Sequence, residues 1–127
     1  MPRARPRGHL SSHDEVINPV DIEHAIGEVT ERIANGVRII TGAERKAIQL
    51  RRDFDLARAL AYVAADGSIK DKEAQSVIET IEPRRLAEEA EAEYRHAQRT
   101  AAALERQLSG LQAQAKLVGA MYGAVRA

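Results

Sequence analysis

The sequence predicts an all-α fold in which two or three shorter helices pack on a long C-terminal, heptad-bearing helix, coiled-coil-like and oligomeric. Three observations lead there. Alanine fills 23 of the 127 positions and charged residues make up 30%. The aromatics are only Phe54, Tyr62, Tyr94 and Tyr122, a composition that suits long helices better than a thick globular core. Apolar residues then recur at alternating spacings of four and three, the signature of one helix face. The length fits a single domain, which typically runs ~100–200 residues.

The chain opens on a basic segment. Residues 1–13 hold three arginines, two prolines and no acid, so they bury too little apolar surface to offset their ordering entropy. Residues 1–17 are therefore predicted to be a disordered basic tail, and 18–127 a single helical domain. The first helix is predicted to start at Asn18-Pro19, with Asn18 as N-cap, Pro19 at the first helical position and Asp21 complementing the dipole. Its stripe is Ile22, Ile26, Val29, Ile33 and Ile40, with Gly36 in the intervening slot. Thr41-Gly42-Ala43-Glu44 has capping-box form, so a second helix is expected to start there; one continuous bent helix is the alternative.

The second helix carries Ala47, Leu50, Phe54, Ala57, Ala61 and Ala64, runs to about residue 65, and stops at Asp66-Gly67. Ser68, with Asp71 three residues on, caps a short third helix bearing Ala74, Val77, Ile78 and Ile81. Glu82-Pro83 ends it, and Pro83 opens the last helix. From Ala90 the stripe of that helix reads Tyr94, Ala97, Ala101, Leu104, Leu108, Leu111, Ala115, Val118, Tyr122 and Val125. A helix from Pro83 to the C-terminus is ~65 Å long at 1.5 Å per residue. A narrow apolar stripe of that length needs a partner. The shorter helices cover part of it, and Leu104, Leu108, Leu111, Val118 and Tyr122 are expected to meet another subunit of a homo-oligomer.

Charge is balanced but segregated. Lys plus Arg and Asp plus Glu each total 19, which excludes nucleic-acid coating by bulk charge and leaves only a local patch. The net charge alternates: −6 over 14–31, +4 over 32–58, −5 over 59–93 and +4 over 94–127. The absence of cysteine excludes a disulfide scaffold, a thiolate metal site and a thiol nucleophile. No secretory-type apolar stretch follows the basic N-terminus, and Leu117–Val125 is about half of a membrane span. A soluble cytoplasmic protein is the expectation.

Catalytic chemistry is poorly represented. His9 and His13 have helical metal-pair spacing but lie in the Pro/Gly-rich tail, and His24 and His96 fall on polar helix positions. No Gly-rich phosphate loop occurs, and the carboxylates Glu88, Glu89, Glu91 and Glu93 read as a solvated face. No enzyme activity, cofactor or metal is expected. The basic stretch is more informative. Arg38, Arg45 and Arg52 are seven apart and stack on one face; Arg51 and Arg58 form a neighbouring row, with Lys46 and Gln49 close by. Such rows can follow a phosphate backbone, each cation replacing a condensed counterion. Tyr62 is the candidate for base stacking. The alternative is a solvated face paired with the acids of the first helix or of 71–93, and composition alone favours it. Which holds depends on whether the arginines face solvent or acids.

The layout resembles a known family. An amphipathic helix pair leads into a basic helix with the step Leu56-Ala57-Arg58-Ala59-Leu60-Ala61-Tyr62, closed by Asp66-Gly67. A long helix follows, Ala/Glu/Arg-rich and then Leu-rich between Ala90 and Leu111. Over about residues 20–125 this is similar to the small phage recombination mediators of UvsY type. The resemblance implies an oligomeric helical protein, without cofactor or catalytic residue, that binds single-stranded DNA. It further implies help to a recombinase in displacing the single-strand binding protein, in the host cytoplasm. Arg58 is the residue that matches the DNA-contacting motif. Arg45, Lys46, Arg51, Arg52 and Tyr62 come from the charge map and composition. Assembly in the family depends on the C-terminal helical part. The reading from another class is a helical coiled-coil scaffold or adaptor that binds only protein.

Overall fold

A computed structural model describes residues 18–126, with side chains to residue 123. The basic tail with His9 and His13 and the side chain of Val125 lie outside the described residues. Three helices follow one another: α1 (Pro19–Ala64), α2 (Ile69–Glu79) and α3 (Ile81–Arg126). No strand occurs among the described residues.

Helix α1 starts where its sequence directs. The Asn18 side-chain oxygen accepts a hydrogen bond from the Val20 N–H at 2.9 Å, satisfying one of the donors a helix start leaves free. The second start expected at Thr41 does not occur. Helix α1 runs through it, and the Thr41 hydroxyl donates back to the Val37 carbonyl at 2.9 Å. The reason is phase. Ile40, Ala43 and Ala47 keep the 3-4 step, so the two apolar stripes are one. Every position of that stripe from Ile22 to Ala61 is buried or half-buried, and a break at 41 would turn its halves apart.

Helix α1 ends as expected. Gly67 has φ +106°, and a Cβ there would lie 2.8 Å from an Asp71 carboxylate oxygen, so both conformation and space favour glycine. Ser68 then caps α2 in a full capping box: its hydroxyl accepts from the Asp71 N–H, and the Asp71 carboxylate accepts from the Ser68 N–H, each at 3.2 Å. Gln75 ties the turn down by donating to the Asp66 carbonyl at 3.0 Å. Ser68→Ala is expected to cost about 1 kcal/mol, measured by urea unfolding.

The junction of α2 and α3 is shorter than the sequence suggests. Helix α2 ends at Glu79, Thr80 alone leaves helical geometry (φ −114°, ψ 22°), and α3 begins at Ile81. Pro83 sits in the first turn of α3 rather than opening it. That turn has no intrahelical acceptor for its N–H groups, so proline forfeits no bond there. Ser76 and Thr80 are buried, and both hydroxyls are satisfied locally. Ser76 donates to the Glu73 carbonyl at 2.8 Å, and Thr80 to the Ser76 carbonyl at 2.6 Å. Their positions lead in phase into Pro83, Ala87, Ala90 and the stripe of α3.

The chain forms two compact units. In the unit formed by residues up to Asn35 and from Ala101 onward, Val29 packs with Leu104 and Leu111, flanked by Ala25, Ile26, Ile33 and Leu108. Leu104, Leu108 and Leu111 thus find their partner within the chain. Val118 lines a groove of about 290 Å³ with Pro19, Ile22, Ile26 and Tyr122, and Tyr122 itself is 57% exposed. In the Gly36–Thr100 unit the buried residues are small: Ala47, Ala65, Ser76, Thr80, Ala87 and Ala90, with Phe54 the one large side chain among them. There α1 and α3 run antiparallel, with Glu44 against Tyr94 and Lys46 against Glu93.

Charge segregation explains this pairing. Between residues 36 and 64, α1 holds six bases and three acids; between 66 and 93 the returning chain holds nine acids and four bases. In the other unit the signs are exchanged. Residues 19–35 hold four acids and one base, and 101–126 three bases and one acid. Within each unit the two segments that fold back on each other carry opposite net charge, and Lys46–Glu93 is an ion pair between them in the Gly36–Thr100 unit.

Candidate nucleic-acid interface

The six residues expected to contact nucleic acid all lie on α1. Helical periodicity places Arg45 and Arg52 on one face, with Arg38, and Arg51 and Arg58 on the next. All of these cations are exposed. Arg45, Arg52 and Arg58 form no ion pair with any described residue, although nine acids follow between 66 and 93. Lys46 reaches Glu93 at 3.5 Å, and Arg51 reaches Asp55 at 3.7 Å one turn along its own helix.

The acids of α3 are engaged elsewhere. Arg84 pairs with Glu88 at 3.1 Å, Arg85 bridges Glu82 and Glu89 at 2.7 Å each, and Arg95 approaches Glu91 at 3.9 Å. Hydrogen bonding from Arg85 holds the Glu82 carboxyl below its usual range, opposed by desolvation and helped by the Arg85 charge. These i,i+3 and i,i+4 pairs form within one helix. They leave α3 with less negative charge to offer α1. Of the pairings with the acids of the first helix or of 71–93, Lys46–Glu93 is present; Arg51 pairs only with Asp55 one turn along its own helix, and Arg45, Arg52 and Arg58 form no ion pair with a described residue.

A groove of about 400 Å³ lies beside the row, lined by Glu44, Ala47, Ile48, Arg51, Arg52, Glu91 and Tyr94. The Tyr94 hydroxyl donates to the Glu44 carboxylate and accepts from the Gln98 amide, each at 3.1 Å. Donation to Glu44 raises the Tyr94 pKa above the ordinary tyrosine range; desolvation and the Glu44 charge add to this, and Gln98 opposes it. A phenol pKa raised by folding adds stability that is complete below the unfolded value and lost as pH climbs through the folded one. Glu44→Gln is expected to bring the Tyr94 titration down, followed by the NMR signals of its ring.

Two ring contacts complete the surface. The Arg51 guanidinium lies 5.6 Å from the centre of the Phe54 ring, and the Lys72 ammonium 5.7 Å from that of Tyr62. Tyr62 is half-buried, and the cation occupies one of its faces. No known family model, curated protein or solved structure matches this chain. Lys72 was not marked by the sequence, because its approach to Tyr62 depends on the turn that folds α2 back. The Glu44–Tyr94 contact joins residues 50 apart and likewise has no local signal. Among the described residues no group of His, Asp or Glu is placed to hold a metal ion, and no helix is long and apolar enough to cross a membrane.

Proposed function

We propose that the protein is a non-enzymatic, homo-oligomeric single-stranded-DNA-binding protein whose strand lies along the Arg45–Arg52 row of α1, with Arg58 beside it. One observation carries the reading: these three guanidinium groups are exposed and have no ion pair with a described residue, while acids of α3 pair within their own helix. Cations held on a rigid helix at fixed intervals suit a polyanion, and their repetition in an oligomer raises avidity. The likeness to UvsY-type mediators gives the binding a purpose: keeping a single strand available while a recombinase replaces the single-strand binding protein. A labelled oligothymidylate titrated with the protein tests it. Binding that is tight at low salt and falls steeply with added salt is expected. No binding at low salt overturns the reading.

A protein-only scaffold is the second reading, supported by the apolar side chains exposed on α1 and α2.

A further inference from the structure

The groove beside the basic row differs in chemistry from the row itself. Ala47, Ile48 and Tyr94 give it apolar and aromatic walls, and the carboxylates of Glu44 and Glu91 also line it. Glu44 is exposed and forms no ion pair with a described residue; its Oε2 accepts from the neutral Tyr94 hydroxyl. Glu91 is half-buried, and Arg95 approaches it at 3.9 Å. The volume of about 400 Å³ lies in the range of small-molecule sites.

The groove also lies where a strand would pass. Ile48 is three residues after Arg45 and four before Arg52, the spacings that make neighbours on a helix surface. Arg45 and Arg52 are about 10 Å apart along the axis at 1.5 Å per residue. A strand whose phosphates meet both cations therefore runs over Ile48, at the mouth of the groove. A phosphate does not suit the interior, because two carboxylates repel it. The face of a nucleobase suits Ile48 and the Tyr94 ring, and the N–H groups of its edge suit the carboxylates.

We propose that the groove takes a base of the bound strand, and that it favours bases with an amino group on the pairing edge, cytosine and adenine. The inference rests on the proposed function and adds base preference to it. The phosphates stay on the Arg45–Arg52 row, while one base turns inward and stacks on Tyr94. Glu44 and Glu91 accept from its amino group, the contact by which carboxylates read cytosine. Uracil and thymine present a carbonyl oxygen at the same place, which a carboxylate repels. Tyr94, rather than Tyr62, is then the stacking residue; Lys72 already covers one face of Tyr62.

The full chain titrated with labelled oligodeoxycytidylate and oligodeoxyuridylate of equal length, at pH 8, tests it. The two differ only in the amino or carbonyl group at C4 and the protonation of N3. The cytosine strand is expected to bind about fivefold tighter or more, with the same salt dependence, since the phosphate contacts are shared. Glu44→Met combined with Glu91→Met removes the acceptors and is expected to bring the two affinities together without weakening the uracil strand. If circular dichroism shows that the double variant loses helix, each single variant takes its place and is expected to narrow the difference. Equal affinities for the two strands in wild type overturn the inference and leave the proposed function standing. A preference for cytosine that survives unchanged in the variants overturns the assignment to this groove. Failure to bind either strand at low salt overturns the proposed function, and the base site with it.

Discussion

Replacing Arg45, Arg52 and Arg58 together with alanine is expected to remove most of the affinity for single-stranded DNA. Each phosphate contact to a single strand contributes a slope of about 0.7 in log affinity against log salt. Three lost contacts should therefore flatten that slope by about 2. The side chains are exposed, so the variant keeps its helices and the loss is one of charge. Anisotropy titrations at several salt concentrations measure both quantities. An unchanged slope would mean that the strand, if bound, lies elsewhere. Lys46→Ala should have less effect on binding, because Lys46 already shares its charge with Glu93.

Phe54→Ala is expected to be the most destabilising single change in the Gly36–Thr100 unit. Phe54 is 6% exposed and is the one large buried side chain of a unit whose other buried residues are small, alanine, serine and threonine, and cannot extend to fill a cavity. Truncating a buried phenylalanine costs about 3–5 kcal/mol, and rigid helix backbones limit collapse of the cavity. Arg51 also loses the ring beneath its guanidinium. Urea unfolding measures the effect, and a loss below about 1 kcal/mol would show that the site relaxes.

What the sequence made legible was local or periodic. Asn18, Ser68 with Asp71, and Gly67 act within a few residues of themselves, and the structure uses each as its chemistry suggests. Leu104 and Leu111 were readable as a face that must be covered. What covers it was not, because a stripe carries no name for its partner. Once α1 is one helix of 46 residues, the same length as α3, the chain supplies that partner itself. The continuity was written in Ala43, which holds the step between Ile40 and Ala47, but the Thr41–Glu44 pattern offers a competing local signal. The basic row was legible as spacing. Its separation into paired and unpaired cations was not, since Lys46 meets an acid 47 residues away, and that partner exists only in the antiparallel register.

Thr80 interrupts the helix between α2 and α3 without interrupting the stripe, and α1 keeps the same step throughout. Length in this molecule is consequently quantised. Losing one residue from an arm turns everything beyond it by about 100° and carries the apolar face into solvent. Losing seven from one arm restores the face but sets the charges against the wrong partners. Losing seven from both arms at matched positions within one unit restores the face and the charge match together. Relatives of this chain should therefore lengthen or shorten in paired steps of seven, with other insertions confined to the turn at Asp66–Ser68.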